Sequence, residues 1–244
     1  DDLVMVGEWM PITIFLNTSG KLTDETEAAG LANTTGWWNT IEQADMDADG
    51  DLDLIAGNLG LNIKYKASDK EPFTVYSYDF DGNGTNDIVL SYYQSGKCFP
   101  LRGRECSSQQ MPFIKNKFPS YHAFANATVE QVYSEHIDEA LMLEAKNFSS
   151  LYLENAGGSF NYTALPIEAQ FSTVQGIVTH DVNDDGNLDL IVAGNYYERE
   201  VETIRSDASI GYVMLGDGKG DFQTIDATKA GLKLYQDVRD IKLI

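Results

Sequence analysis

Residues 45–53 read Asp-Met-Asp-Ala-Asp-Gly-Asp-Leu-Asp, and the chain contains this nine-residue pattern three times. The second copy is DFDGNGTND at 79–87, and the third is DVNDDGNLD at 181–189. Side-chain oxygens recur at positions 1, 3, 5 and 9 of each copy, position 7 supplies a backbone carbonyl, and a glycine lies near the bend. A hard cation of the size of calcium takes six to eight oxygens at about 2.3–2.6 Å. The pattern therefore predicts three cation-binding loops.

The predicted ligands stand at the odd positions of each loop. Carboxylates this close together repel one another, and a bound cation explains why they coexist. A solvated acidic turn without metal is the alternative for a single copy. Three copies with side-chain oxygens at the same positions disfavour this alternative. The second loop departs from the strongest pattern, with Gly82 at position 4 and Asn83 at position 5. The full set is Asp45, Asp47, Asp49, Asp51 and Asp53; Asp79, Asp81, Asn83, Thr85 and Asp87; and Asp181, Asn183, Asp185, Asn187 and Asp189.

An EF-hand loop opens with the same alternation, but the residue at position 12 excludes it. An EF-hand needs a bidentate Glu there, whereas this chain has Ala56, Leu90 and Val192. These residues lie in short apolar runs that predict buried strands rather than helices. A similar run precedes each loop. Each acidic loop is therefore predicted to join two strands.

A longer repeat surrounds the loops. The strands after the first and third loops end in Gly-Asn, and the start of the chain fits the same template with Asp2 in the place of Asp189. Hairpins with Asn, Asp or Gly in the turn are predicted at 14–22, 151–160 and 213–222. One repeat thus contains four strands in about 50 residues, which is the period and strand count of a propeller blade.

The predicted fold is therefore all-β, a β-propeller of four-stranded blades in one domain over residues 1–244. The final strand and the opening segment could share one blade and close a ring of four, or the chain could be a segment of a larger ring. Both alternatives stay open. The predicted blades are a partial one at 1–31, then 36–68, 72–165 and 173–231, followed by a last strand at 237–244.

A helical insertion at about 94–149 interrupts the third predicted blade. Thr128 and Gln131 have the spacing of a capping box, and apolar residues then recur at helical intervals. We expect a helix at 129–146 and a shorter one near 120–125. Because this segment is the least repeat-like part of the chain, a binding function specific to this protein could lie there.

The net charge of −21 restricts the partners of the protein. So acidic a surface repels phosphate backbones and anionic lipids, which argues against nucleic acid and membrane binding. No apolar run is long enough to cross a bilayer, and no signal peptide is present. The chain lacks a starting Met, so we expect it to be cut from a longer precursor. Cys98 and Cys106 could form a local disulfide or remain two free thiols.

These motifs resemble a known family. The loops followed by LDLIAGN or LDLIVAGN resemble FG-GAP/VCBS repeats, the calcium-binding blade motif of integrin α-subunit heads and of many secreted bacterial proteins. GWWNTIEQADMDADGDLDLIAGNLGLNIKYKAS, QQMPFIKNKFPSYHAFANAT and DASIGYVMLGDGKGDF are similar to the VCBS repeat proteins of Bacteroidetes, which are related to animal cartilage acidic protein. The resemblance implies a propeller with up to three Ca²⁺ ions that is extracellular, on the cell surface or periplasmic. It implies no reaction.

No catalytic or cofactor-binding residue is predicted. The three histidines lack zinc spacing, and no nucleophile elbow or phosphate-binding loop occurs in the required context. The preferred function is a non-catalytic, extracellular calcium-binding scaffold for a protein or glycan ligand. The alternative is a carbohydrate-active enzyme with structural calcium, which would need two carboxyl groups about 5–10 Å apart in a cleft.

Overall fold

The computed structural model describes residues 1–134, 136–200 and 202–244. The chain is mostly β, with 35% strand and 14% helix, so the predicted all-β class is confirmed. The described strands form several antiparallel sheets, none of which closes on itself. The chain divides into two compact units, residues 1–64 with 148–244 and residues 65–147.

The elements follow one another in short segments. The strands are β1 (Leu3–Met5), β2 (Glu8–Met10), β3 (Thr13–Thr18), β4 (Lys21–Asp24), β5 (Gly36–Trp37), β6 (Thr40–Ala44), β7 (Asp53–Gly57), β8 (Phe73–Tyr78), β9 (Asp87–Gln94), β10 (Lys97–Pro100), β11 (Leu141–Ala145), β12 (Leu151–Asn155), β13 (Phe160–Ala164), β14 (Val174–His180), β15 (Asp189–Gly194), β16 (Tyr212–Gly216) and β17 (Phe222–Thr224). The helices are α1 (Arg104–Gln110), α2 (Phe113–Lys117), α3 (Tyr121–Ala125), α4 (Val129–Tyr133) and α5 (Ala227–Ala230), with 3₁₀ turns at Ile137–Glu139 and Ile167–Gln170.

The first unit stacks three of its sheets on two apolar layers. The sheets have the orders β1-β3-β4, β13-β12-β7-β6 and β14-β15-β16-β17, and β2 pairs with β5 separately. Successive strand residues point to opposite faces, so Ile55 of β7 packs in one layer with Leu190 and Met214 of the third sheet. Its neighbour Leu54 packs in the other layer with Ile14 of the first sheet. The middle sheet is thus buried on both faces, which explains its continuous apolar run.

The second unit is a four-stranded sheet, ordered β10-β9-β8-β11, with the short helices α1 to α4. Its core joins Tyr76 and Val89 of the sheet to Met111, Ile114 and Val132 of the helical region. Cys98 in β10 and Cys106 in α1 are not joined by a disulfide in this unit. The alternative of two unbonded cysteines is therefore the one observed.

The third predicted blade, at 72–165, is wrong in its pairing. The hairpin of β12 and β13 pairs with β7 instead, in the register Leu151↔Ala56 and Leu153↔Leu54. The sheet of the second unit receives its fourth strand from β11, which pairs with β8. Because β11 already occupies the edge of β8, the hairpin of β12 and β13 pairs elsewhere. It completes the sheet that β6 and β7 begin. Residues 65–147 thus lie in sequence between two hairpins of one sheet.

The predicted helix at 129–146 is wrong in its extent. The capping box at its start is confirmed, since Thr128 accepts from the Gln131 N–H and the Gln131 side chain accepts from the Thr128 N–H. The helix ends at Tyr133, however, and Leu141–Ala145 forms β11. The hydrogen bonds of five residue pairs with β8 override the helical spacing of the apolar residues. Residue 135 lies outside the described residues.

Two further expectations have opposite outcomes. The short helix near 120–125 is confirmed as α3, whereas α1 and α2 were not predicted. The predicted last strand at 237–244 is wrong, because those residues form no strand. The segment runs instead against β14, where a Cβ on Gly176 would lie 3.0 Å from the Ile241 nitrogen. A glycine permits this close approach of two backbones.

Candidate functional site

Each acidic loop joins two neighbouring strands, as the sequence predicts. The loop at 45–53 links β6 to β7, that at 79–87 links β8 to β9, and that at 181–189 links β14 to β15. In each loop the carboxylate at position 1 accepts hydrogen bonds from the N–H groups at positions 5 and 6. The distances to Asp45 are 3.1 and 3.1 Å, those to Asp79 are 2.9 and 2.8 Å, and those to Asp181 are 3.2 and 2.8 Å.

The side chains at positions 3 and 5 also bond to their own loop. In the first loop Asp47 accepts from the Asp49 N–H at 3.2 Å, and Asp49 accepts from the Asp51 N–H at 2.9 Å. The same two bonds recur in the second loop at 3.2 and 2.8 Å and in the third at 2.9 and 2.8 Å. Residues at positions 1, 3 and 5 therefore all direct oxygens toward the backbone of the loop.

Two positions of each loop have left-handed backbone. Position 4 has φ of 60° at Ala48, 71° at Gly82 and 59° at Asp184, and the glycines at position 6 have φ between 86° and 99°. Glycine adopts this conformation at little cost, whereas alanine does not. Gly82 therefore suits its place, and the second loop has the same backbone as the other two.

The aspartate at position 9 is buried and closes the loop. Asp53, Asp87 and Asp189 are exposed by 1%, 3% and 0%. The Oδ2 of each accepts from the N–H at position 2 of its own loop, at 3.1, 3.0 and 2.8 Å. These aspartates therefore tie the start of the second strand to the start of the loop.

The second oxygen of this aspartate binds the next hairpin in the sheet. Oδ1 of Asp53 accepts from the Asn155 N–H at 2.8 Å, and Oδ1 of Asp189 accepts from the Gly216 N–H at 2.9 Å. Asp2 makes the equivalent bond, because its Oδ1 accepts from the Asn17 N–H at 2.8 Å. The predicted equivalence of Asp2 and Asp189 thus agrees with their hydrogen bonds.

Two partners of these aspartates were not predicted from the sequence. The Tyr152 hydroxyl donates to Oδ2 of Asp53 at 2.8 Å, and the Gln110 side chain of α1 hydrogen-bonds to Asp87. Tyr152 stands in a predicted hairpin strand, but the assignment of that hairpin to the wrong blade concealed the contact. Nothing in the pattern around Gln110 identifies it.

Two of the loops gather carboxylates closely enough to hold a metal ion. Oxygens of Asp45, Asp47 and Asp49 lie within 4.8 Å of one another, and oxygens of Asp79, Asp81 and Asp87 do the same. Asp53 lies outside the first of these clusters, and the side chain of Asp51 is exposed. All the donors are oxygens, which is the set that hard cations prefer.

Electrostatics in the first two loops favours the arrival of a cation. Desolvation, together with the charges of Asp49, Asp53 and Asp45, raises the pKa of Asp47. Burial, together with the charges of Asp81 and Asp79, raises the pKa of Asp87. A raised pKa means that the negative form of the carboxyl group is disfavoured, and a divalent cation would remove that penalty.

The third loop arranges its carboxylates differently. Its position 3 is Asn183, whose Nδ2 donates to Oδ2 of Asp185 at 2.8 Å. The pKa of Asp185 is lowered, chiefly by the backbone N–H of Asn187 and then by the Asn183 side chain. Among the described residues this loop forms no cluster of three carboxylates. Its oxygen donors still occupy the positions that the other two loops use.

Two polar side chains outside the acidic loops, Arg104 and His136, contact neighbouring residues. The Nε of Arg104 donates to the Phe118 carbonyl at 2.6 Å, and its guanidinium lies 5.3 Å from the centre of the Tyr121 ring. His136 stacks on Tyr78 with ring centroids 5.2 Å apart.

No helix in the described part of the chain combines the length and the apolar composition that a membrane crossing requires.

Comparison with protein families finds a match at the start of the chain. Residues 1–56 match the model of the FG-GAP-like repeat, a segment that runs from β1 through the first acidic loop and into β7. Comparison with curated proteins finds no significant match. Comparison with solved structures finds none either. The family match thus supports an FG-GAP-like repeat at the start of the chain.

Proposed function

We propose that this protein is a non-catalytic, extracellular calcium-binding scaffold that presents a binding surface to a protein or glycan partner. The observation that carries the proposal is the common geometry of the three acidic loops. Each loop holds its side-chain oxygens through the same five hydrogen bonds to its own backbone, although only some of the residues are identical. This common arrangement directs side-chain oxygens of all three loops to equivalent places, as a shared ligand would require.

Calcium fits the donor set better than other common metals. Zinc and copper sites use His or Cys, and the three loops contain neither residue. Magnesium demands a tight octahedron and keeps several waters, whereas calcium accepts six to eight flexible oxygens. In this proposal the side chains at positions 1, 3 and 5 and the carbonyl at position 7 hold the ion. The buried aspartate at position 9 contributes where an oxygen reaches the cluster, as Asp87 does.

Calcium in these loops would stabilise the connection between two strands of each sheet. The loop carboxylates repel one another when the ion is absent. A bound cation offsets this repulsion and fixes the turn, and in the first and third loops Asp53 and Asp189 transmit the constraint to the neighbouring hairpin through their second oxygen. The role of the metal is therefore mechanical, and no reaction is assigned to it.

We also propose that the sheets are blades of a β-propeller. The face-to-face stacking of three sheets in the first unit supports this arrangement, since a propeller packs its blades in this way. The match of residues 1–56 to the FG-GAP-like repeat supports it independently. The proposal places the protein outside the cytoplasm, where calcium is abundant enough to fill sites of about 10⁻⁴–10⁻³ M, the affinity typical of extracellular modules.

A calorimetric titration of the metal-free chain with calcium tests the proposal. We expect saturable binding of up to three ions that an excess of magnesium does not abolish. Absence of calcium uptake at millimolar concentration would refute the proposed function. Equal affinity for magnesium would refute the assignment of the metal.

A further inference from the structure

A cleft of about 670 Å³ lies within the unit formed by residues 65–147. One wall is the end of β8 and the start of the second acidic loop, from Tyr78 to Gly82. The other wall consists of residues from α2 and α4 together with His136. Sites for small organic ligands typically have about 300–1,000 Å³, so the cleft is large enough for one ring-sized ligand group.

Aromatic residues line the cleft, of which Tyr78, Phe113 and His136 are partly exposed, whereas Phe80 and Tyr133 are buried. Tyr78 stacks on His136 with centroids 5.2 Å apart, and it contacts Phe80 at 5.5 Å. Phe80 packs in turn on Tyr133 at 4.9 Å, and Phe113 of α2 lines the cleft as well. Because these rings hold one another in place, the apolar surface they offer is preformed. A flat ligand with one apolar face can pack against it.

Polar groups of both signs stand around this aromatic surface. Asp79 and Asp81 line the cleft at the edge of the second acidic loop, where the proposed calcium ion would share their oxygens. Lys117 lies opposite, and its ammonium group donates to the Val132 carbonyl at 2.9 Å and to the Ser134 hydroxyl at 3.2 Å. An ammonium group has three hydrogens, so one more remains for a ligand. The Tyr78 hydroxyl donates to Glu139 at 2.6 Å, and its oxygen can still accept.

This combination selects among ligand classes. With calcium in the second loop, the ion offsets the charges of Asp79 and Asp81, and a cationic ligand would be repelled by the ion and by Lys117. A neutral ring that carries several hydroxyl groups avoids this repulsion, since each hydroxyl accepts from the ammonium or an imidazole N–H and can donate to a carboxylate oxygen. A sugar ring also has an apolar face formed by its axial C–H groups, which matches the aromatic surface.

We infer that this cleft binds one saccharide residue of a neutral glycan. The inference rests on the proposed function as a binding scaffold, and it names the ligand class and the place of binding. It assigns the site to Tyr78, Phe113 and Lys117, with the second acidic loop at its edge. Binding of the sugar does not require the first or third acidic loop.

The test uses the full chain and neutral sugars as probes. Four methyl glycosides are tested in millimolar calcium, those of glucose, galactose, mannose and N-acetylglucosamine. Saturation-transfer NMR shows which of these glycosides binds and with what affinity. We expect at least one glycoside to bind. Lys117→Met and Tyr78→Phe should each weaken it roughly tenfold, because each removes one hydrogen-bonding group from the site.

Lys115→Met is the matched control, since Lys115 lies on the same helix but does not line the cleft. Its Nζ pairs instead with Oε1 of Glu105 at 3.1 Å. This variant should bind the glycoside as the parent chain does. Melting curves of all three variants separate a lost contact from a lost fold, and Tyr78→Phe keeps the packed ring. A glycoside affinity that neither cleft variant changes would place the site elsewhere and overturn the inference.

The outcomes also separate this inference from the proposed function. No binding by any of the four glycosides, with calcium uptake intact, would overturn the saccharide cleft and leave the calcium scaffold standing. Sugar binding by a chain that takes up no calcium would refute the scaffold and support the cleft.

Discussion

The Tyr152 hydroxyl donates a 2.8 Å hydrogen bond to Oδ2 of Asp53, a residue 99 positions earlier in the chain. Both residues are buried, with exposures of 4% and 1%. Asp53 belongs to the first acidic loop, and Tyr152 belongs to the strand that follows residues 65–147. This bond thus joins two sequence segments that one sheet brings together.

Loss of this hydroxyl should destabilise the first unit. We expect Tyr152→Phe to lower the free energy of unfolding by about 2 kcal/mol, because a buried charged acceptor loses a donor. Urea unfolding measures the change. Tyr162→Phe is the control, since Tyr162 stands on the neighbouring strand with 42% exposure. A loss no larger than that of the control would show that Asp53 does not depend on the phenol.

Metal ligation can be separated from ordinary loop stability by comparing two aspartates of the first loop. We expect Asp49→Ala to weaken calcium binding about tenfold or more, and so to lower the melting temperature much more with calcium than with EDTA. Asp51→Ala is the matched control, because its backbone carbonyl and not its exposed carboxylate is the predicted ligand. Differential scanning calorimetry in both conditions measures the difference. Equal losses with and without calcium would mean that Asp49 is not a ligand.

The left-handed position 4 gives a prediction that does not depend on metal. Ala48 has φ of 60° and Gly82 has φ of 71°. Ala48→Gly should therefore stabilise the chain, and Gly82→Ala should destabilise it, each by about 1 kcal/mol. Chemical unfolding in EDTA isolates the backbone effect. If both substitutions moved the free energy of unfolding in the same direction, the common backbone of the two loops would be in error.

Local features of this chain could be predicted from its sequence, whereas long-range pairing could not. The strands around the acidic loops and the hairpins were predicted, since alternation of side chains and turn residues are encoded within a few positions. The hairpin at Leu151 was assigned to the wrong sheet, because its partner β7 lies about a hundred residues earlier and nothing local records that pairing.

The same distinction applies to the site. The spacing of the loop oxygens predicted the clusters around Asp45 and Asp79. It did not predict that Asp53 would be buried and bonded to Tyr152 and Asn155, because those donors come from a distant hairpin. The apolar residues near Leu141 gave a false helix, since a strand edge on β8 was available to them.

Alkaline stability gives a last prediction, from the second unit. Burial raises the pKa of Tyr76 to about 12, with further contributions from Cys98 and Tyr93. A tyrosine in the unfolded chain has a pKa near 10, so the folded state favours the neutral phenol. The stability that this difference provides is complete below about pH 10 and is lost as the pH rises toward 12.

Tyr76→Phe should therefore lose less stability than the parent chain over this interval, as measured by urea unfolding at each pH. Phenolate absorbance provides a second measurement, because Tyr76 should ionise only after the exposed tyrosines. A parent and a variant that lose stability in parallel would show that Tyr76 ionises as readily in the folded protein as in the unfolded chain.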